Sequence, residues 1–192
     1  MAQELELKFA ATGAQLESLR SRLEGFTQTQ METTYYDTPD RQLSAQKITL
    51  RRRQENEKTI CTVKTPGKGI SRGEWECENA DIEAAIPILC KLGAPRELLD
   101  LPALIPVCGA KFTRLSRLLT LPDAQIELAL DQGILLGGGK EAPLCEVELE
   151  LKSGSEETLF ALAKAVAEEF SLKPEPKSKF QRARELTSDN ES

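Results

Sequence analysis

The sequence predicts an α+β fold that is mainly antiparallel β, with eight strands closed into a barrel and helices packed outside it. Three observations predict this architecture. Eight segments alternate apolar and polar residues, short turn-forming runs join many of them, and the charges on the polar faces are sorted by sign. With 192 residues and 40% apolar content, the chain is long enough to bury a core. We expect one domain over residues 1–186 and a disordered polar tail over 187–192.

The alternating segments have the two-residue period of half-buried strands. They cover residues 3–9, 33–37, 47–53, 58–65, 72–79, 111–121, 125–131 and 145–152. The connections predicted to be tight turns are rich in Gly, Pro, Asn and Asp, and they lie at 54–57, 66–71, 122–123 and 137–139.

Four segments have helical spacing instead. Thr12 and Gln15 form a potential capping box before the first helix, which Gly25 is expected to end. Ser178 is placed to cap the last helix, over 179–186. The two remaining predicted helices cover 82–92, which contains Pro87, and 155–170.

Composition narrows the possible chemistry. The chain has no histidine, so Ser-His-Asp and Cys-His catalysis is excluded, and acid–base steps require Lys, Tyr, a carboxylate or metal-bound water.

The net charge of −6 argues against nucleic acid as a partner. The absence of a long apolar run argues against a membrane span or a secretory leader. An odd number of cysteines without C-x-x-C spacing is typical of free thiols and not of disulfides or a zinc site. Free thiols are typical of a reducing compartment, so we expect a soluble cytoplasmic protein. The cysteines are Cys61, Cys77, Cys90, Cys108 and Cys145.

The charged faces of the strands are unusual because like charges recur along them. Glu146, Glu148 and Glu150 share one face of the last strand, and Arg51 and Arg53 share one face of another. One strand considered alone is better explained as a solvated sheet face. Sorted charges on eight strands instead favour an enclosed lumen, in which carboxylates suit Mg²⁺ or Mn²⁺ and basic groups suit phosphate oxygens. A cation together with a polyphosphate satisfies both sets.

The N-terminal run Glu4-x-Glu6-x-Lys8 resembles the signature of the CYTH superfamily, also called triphosphate tunnel metalloenzymes. Further segments resemble that family in the same order, and together they extend over nearly the whole chain. They are Tyr-Tyr-Asp-Thr-Pro at 35–39, Leu-Arg-Arg-Arg at 50–53, Val-Lys-Thr-Pro-Gly at 63–67, Arg-Gly-Glu at 72–74, Arg114, Ile-Glu-Leu at 126–128 with Asp131, Glu-Val-Glu-Leu-Glu at 146–150, and Ser-Lys at 178–179.

The resemblance implies metal-dependent hydrolysis of a triphosphate, inorganic tripolyphosphate first, with Mg²⁺ or Mn²⁺ inside the tunnel. It assigns catalysis to Lys64, Tyr35 and Glu148. It implies that the phosphates are bound by Lys8, Arg51, Arg53, Lys64, Arg114 and Lys179. It implies that the metal is held by Glu4, Glu6, Glu127, Glu146 and Glu148. The roles of four further acids stay open, as ligands or as charge balance: Glu74, Glu76, Asp131 and Glu150.

Other activities remain compatible with the same fold. A class IV adenylate cyclase, a thiamine triphosphatase or a non-catalytic binder of polyphosphate or nucleotide would use the same tunnel. Strand alternation also places one of Tyr35 and Tyr36 in the tunnel, and it puts Trp75 in the outer core. Arg52 and Lys152 have the parity of the outer surface. The sequence leaves the oligomeric state and the preferred metal open.

Overall fold

Eight antiparallel strands close into a barrel in the computed structural model, which describes residues 2–67 and 71–187. The strands are β1 Ala2–Ala10, β2 Thr27–Asp37, β3 Thr49–Glu55, β4 Lys58–Pro66, β5 Ser71–Glu78, β6 Ile105–Thr120, β7 Ala124–Gly137 and β8 Lys140–Gly154. Their order around the barrel is β1-β5-β4-β3-β2-β6-β7-β8 and back to β1. A two-residue strand, β9 Lys173–Pro174, also pairs with β1. The predicted fold class is confirmed.

The first strand closes the ring by pairing with different neighbours along its length. Residues 2–5 pair with β5, where Glu4 lies opposite Arg72. Residues 6–10 pair with β8, where Lys8 lies opposite Glu148. The charged face of β1 therefore lies between the basic start of β5 and the acidic row of β8.

The helices are α1 Gly13–Arg22, α2 Gln42–Ala45, α3 Ile82–Lys91, α4 Glu156–Phe170 and α5 Lys179–Glu185, with a 3-10 turn over Arg96–Asp100. All four predicted helices are present, and both predicted capping interactions form, at Thr12 and at Ser178. Pro87 lies inside α3 without ending it. Helix α2 and the 3-10 turn were not predicted, because elements of four or five residues are too short to show a helical period.

Helices α1, α3 and α4 cover outer, apolar faces of the strands. Helices α1 and α4 pack over a core that includes Phe9, Ile126 and Leu149, and α3 packs over another that includes Leu50 and Trp75. A third core contains Met31, Phe112, Leu135 and Ala183, and it seats α5 against β6 and β7. The first two cores bury the outer faces of the strands, so the alternating charged faces point inward. The third core lies on the inward faces, because Met31 and Phe112 share the parity of Tyr35 and Arg114.

Several strands are longer than predicted. Strands β2, β6, β7 and β8 extend over polar or glycine-containing stretches in which the alternation is weak. Gly133 lies where an added Cβ would be 2.1 Å from the carbonyl oxygen of Lys111, which explains a glycine inside a strand.

The turns predicted at 54–57, 122–123 and 137–139 are confirmed. The predicted turn at 66–71 and the predicted tail fall largely on residues 68–70 and 188–192, outside the described residues. No helix of the described ranges is both long and apolar enough to cross a membrane.

Candidate active site in the charged tunnel

The barrel encloses a tunnel of about 640 Å³ whose lining is mainly charged. Each strand contributes side chains of one parity, as the alternation predicts. The basic lining residues are Lys8, Arg51, Arg53, Lys64, Arg72, Arg114, Lys152 and Lys179. The acidic lining residues are Glu4, Glu6, Glu55, Glu74, Glu76, Glu127, Glu148 and Glu150.

Two adjacent arginines of β3 form the most buried basic patch. Arg53 donates a hydrogen bond from Nε to Thr33 Oγ1 at 2.8 Å, and burial together with the charge of Arg51 lowers its pKa to about 10. The Nε of Arg51 is buried and has no hydrogen-bond partner among the described residues. Burial likewise lowers the pKa of Lys8. Desolvated cations with spare donors favour an anionic ligand.

Three carboxylates form a cluster on the tunnel wall. Oxygen atoms of Glu4, Glu6 and Glu150 lie within 4.8 Å of one another. Burial raises the pKa of Glu6, and the negative charge of Glu148 raises it further. Burial also raises the pKa of Glu150. Nearby carboxylates of this kind are stabilised in their charged form by a hard cation, so this oxygen-only donor set fits Mg²⁺ or Mn²⁺.

A second group of carboxylates is already neutralised by the protein itself. Asp131, Glu146 and Glu148 surround Lys179, whose Nζ lies 2.7 Å from Asp131 Oδ2 and 2.5 Å from Glu148 Oε1 and also donates to Glu146. Arg114 binds Asp131 through two hydrogen bonds of 2.7 Å and contacts Glu148 at 2.5 Å. In addition, Arg182 of α5 donates to Glu146. This buried network ties α5 to β6, β7 and β8.

The ring of Phe112 forms part of the same region. The charged groups of Arg53, Arg114 and Lys179 lie 5.4, 5.9 and 5.2 Å from its centroid. Cations at such distances from an aromatic face are attracted by its quadrupole. Next to it, Phe180 packs against Tyr35 with ring centroids 5.2 Å apart, which places Tyr35 in the tunnel.

A sequence model of the CYTH domain matches residues 2–183. The chain belongs to the CYTH domain family. The inorganic triphosphatase of Haemophilus influenzae is 37% identical to this CYTH chain over 169 residues, which are 83% of the chain and 48% of that relative. The chain thus spans about half the length of the curated relative that it matches.

Solved structures share the CYTH fold. A candidate adenylate cyclase from Bacillus halodurans superimposes with a TM-score of 0.67 at 23% identity, covering 95% of this chain and 98% of that one. A candidate adenylyl cyclase from Hippeastrum, described as having a dominant triphosphatase activity, superimposes with a TM-score of 0.63 at 17% identity, covering 97% and 96%. At these identities the likeness shows a common fold.

The CYTH tunnel brings together most of the predicted site residues. All six basic residues assigned to phosphate line the tunnel, as do Glu4, Glu6, Glu127 and Glu148. Glu146 lies on the same face of β8 as Glu148 and is fully buried against Lys179 and Arg182. Glu127 belongs to neither carboxylate cluster of the described residues, and its nearest ion pair is with Lys152, at 3.7 Å. Asp131 and Glu150, whose roles the sequence left open, each belong to a cluster. Tyr36 packs toward the α3 core, so the prediction that the two tyrosines face opposite ways is confirmed.

Sequence reasoning placed Lys152 wrongly and missed three neighbours. Lys152 was predicted on the outer surface, but it lines the CYTH tunnel and lies 2.9 Å from Glu150. The parity assigned to it was mistaken, because Lys152 shares the even-numbered face of β8 with Glu148 and Glu150, and alternation alone turns that face toward the tunnel. Arg72 could have been assigned from its parity with Glu74. Phe112 and Arg182 carry no comparable sequence signal.

Proposed function

We propose that this chain hydrolyses a triphosphate, with inorganic tripolyphosphate as the first candidate, to diphosphate and phosphate. The observation that carries the proposal is the convergence of six predicted phosphate-binding cations and a three-carboxylate cluster on one enclosed space. The relative from Haemophilus influenzae, named an inorganic triphosphatase, supports the choice of substrate. In this reaction an oxygen of water bonds to a phosphorus atom as one P–O–P bridge breaks, and diphosphate leaves with the bridging oxygen.

The basic residues bind and orient the substrate. Arg51, Arg53 and Arg114 offer planar guanidinium groups with several donors each. Lys8, Lys64 and Lys179 add ammonium groups around the same space. Phosphoryl transfer depends mainly on positioning and on neutralising the charge of the transferred group. A preorganised set of cations in a desolvated tunnel therefore supports this chemistry without histidine.

The carboxylate cluster is proposed as the metal site. Glu4, Glu6 and Glu150 would hold Mg²⁺ or Mn²⁺, and Glu148 lies close enough to raise the pKa of Glu6. When bound, such an ion neutralises phosphate oxygens and acidifies a water molecule. Of the other acids predicted to bind metal, Glu146 and Glu148 hold Lys179 and the neighbouring arginines, and Glu127 pairs with Lys152.

Lys64 and Tyr35 are proposed to act on the leaving group. Lys64 Nζ lies 2.5 Å from Glu4 Oε1 and 3.5 Å from Glu74 Oε2, so two carboxylates hold its position. As an ammonium group in the tunnel, it can stabilise negative charge that develops on the departing diphosphate. Tyr35, on β2 and separated from β4 by β3, also lines the tunnel, and its hydroxyl is proposed to donate a further hydrogen bond.

A substrate panel tests the function. Tripolyphosphate, thiamine triphosphate and ATP are each incubated with Mg²⁺ or Mn²⁺, and phosphate, diphosphate and cyclic AMP are quantified. We expect metal-dependent release of phosphate and diphosphate, fastest from tripolyphosphate. Cyclic AMP as the main product from ATP would identify a cyclase instead, and tight binding without any product would identify a non-catalytic binder.

A further inference from the structure

A second cavity, of about 580 Å³, opens at one end of the tunnel. Thr49, Lys64, Arg72, Ser178 and Phe180 line both cavities, so the two spaces adjoin. Beyond these shared residues the second cavity is lined by the α2 segment and by the last turn of α5. We call this outer part the basic vestibule, after its lining residues Arg41, Lys47 and Arg184.

The vestibule concentrates positive charge in a chain that is negative overall. Its three basic residues and the shared Arg72 outnumber Glu185, the single acid among the described lining residues, whereas the shared Lys64 is already paired with Glu4 and Glu74. Glu185 in turn lies 2.6 Å from Lys177 and is balanced by it. The chain as a whole has a net charge of −6, so this excess is local. A concave, basic opening attracts and holds polyanions.

The three basic residues are carried by elements that are held in place. The carboxylate of Asp37 is fully buried and accepts hydrogen bonds from the backbone N–H groups of Leu43 and Ser44, at 2.9 and 3.2 Å. These bonds fix the segment between Arg41 and Lys47. On the other side, Arg184 belongs to α5, which Lys179 anchors to the buried carboxylates. The backbone positions that carry the exposed Arg41 and Lys47 and the half-buried Arg184 are therefore fixed around the vestibule.

The two ends of the tunnel differ in charge. Thr49 begins β3 at the vestibule and Glu55 ends the strand, about 20 Å away at the usual rise per residue. The strand pairings place Ser116 of β6 and Glu127 of β7 toward the same end of the tunnel as Glu55. At that end Lys152 is paired with Glu127 and Glu150, and Glu55 adds a further negative charge. This end is therefore less favourable for an emerging polyanion than the vestibule, where an extension of the substrate is accommodated.

We propose that the basic vestibule binds the fourth and later phosphates of a linear polyphosphate whose terminal triphosphate lies in the tunnel. This inference rests on the proposed function and specifies the substrate class of the same site. The residues that line the vestibule but not the tunnel include cations and no aromatic ring on which a nucleobase could stack. The ring of Phe180, at the inner edge of the vestibule, already packs against Tyr35. Repeated phosphates match this lining better than a nucleobase does.

The test compares two triple variants of the full chain. The vestibule variant is Arg41→Gln, Lys47→Gln and Arg184→Gln. The matched control, Arg20→Gln, Lys91→Gln and Lys164→Gln, removes the same charge from exposed positions on α1, α3 and α4. Affinities for tripolyphosphate and for a linear polyphosphate of about 15 phosphates are measured by calorimetry in EDTA, where no hydrolysis is expected.

In the vestibule variant we expect affinity for the long polyphosphate to fall on the order of 30-fold, and affinity for tripolyphosphate to fall about threefold or less. The control variant should change the two affinities equally and only slightly. An equal loss for both ligands in the vestibule variant, or a loss that the control reproduces, would overturn the proposal. A further outcome would also overturn it. If the wild type bound ATP more tightly than the long polyphosphate, and the vestibule variant lost that preference, the cavity would serve a nucleoside. Hydrolysis with Mn²⁺ is assayed separately, so absence of turnover would count against the proposed function and not against these binding results.

Discussion

Lys179 and Glu148 form a buried ion pair, with Lys179 Nζ 2.5 Å from Glu148 Oε1, that joins the last helix to the tunnel wall. Burial by itself would raise the pKa of Glu148, but Lys179 and Arg114 together lower it well below its usual value. Glu148 is therefore ionised at neutral pH although it is buried. The same pair fixes the position of a proposed phosphate-binding cation, so the geometry of the site depends on it.

Replacing Glu148 with Gln tests this dependence. The amide has the same shape but no charge, so Lys179 and Arg114 lose a common anionic partner and are less well positioned. We expect metal-dependent hydrolysis of tripolyphosphate to fall about 100-fold or more, with a folded protein by circular dichroism. Glu141→Gln, on the exposed part of the same strand, is the matched control and should retain activity. Turnover at the wild-type rate in Glu148→Gln would refute the role of Glu148.

The choice of metal ligands is tested by comparing Glu150→Gln with Glu127→Gln. Glu150 clusters with Glu4 and Glu6, whereas Glu127 lies outside both clusters of the described residues. We expect the Kd for Mn²⁺, measured by calorimetry without substrate, to rise about tenfold or more in Glu150→Gln and clearly less in Glu127→Gln. The reverse order of effects would mean that Glu127 and not Glu150 completes the site.

Removing the cation from the buried network should destabilise the fold. In Lys179→Met, the ion pairs left to Asp131, Glu146 and Glu148 within the described ranges are those with Arg114 and Arg182. Lys179 is 6% exposed in the wild type. Breaking a buried ion pair from one side costs about 3–5 kcal/mol of unfolding free energy, measurable by urea denaturation. Lys177→Met, two residues earlier and exposed, should leave the urea midpoint nearly unchanged. Equal midpoints for the two variants would show that Lys179 does not stabilise the barrel.

The loop that carries Arg41 and Lys47 should depend on Asp37. Its carboxylate accepts from Thr38 N at 2.8 Å and from Leu43 N at 2.9 Å, and it also accepts from the backbone N–H and hydroxyl of Ser44. Asp37→Ala leaves these donors unpaired and is expected to lower the unfolding free energy by about 2–4 kcal/mol. Asp40→Ala, in the exposed part of the same loop, provides the comparison. A change at Asp37 no larger than that at Asp40 would contradict the bracing role.

The strand alternation predicted much of the site, because the direction of a side chain on a strand is a local property. Glu4, Glu6 and Lys8 were correctly placed on one inward face, and Tyr35 and Tyr36 on opposite faces. The parity assigned to Lys152 was wrong, because Lys152 lies two residues after Glu150 and shares its inward face. The bracing role of Asp37 was not predicted either, because it depends on hydrogen bonds to a helix of only four residues.

The sequence by itself determined which faces are charged, which are apolar, and that any chemistry proceeds without histidine. Only the tertiary structure decided which carboxylates meet, grouping Glu4 and Glu6 with Glu150, and Asp131 with Glu146 and Glu148. It also decided that Lys179, from the last helix, completes the second group. The physical reason is that alternation has a period of two residues, whereas contacts across the lumen depend on strand register and barrel closure between distant segments.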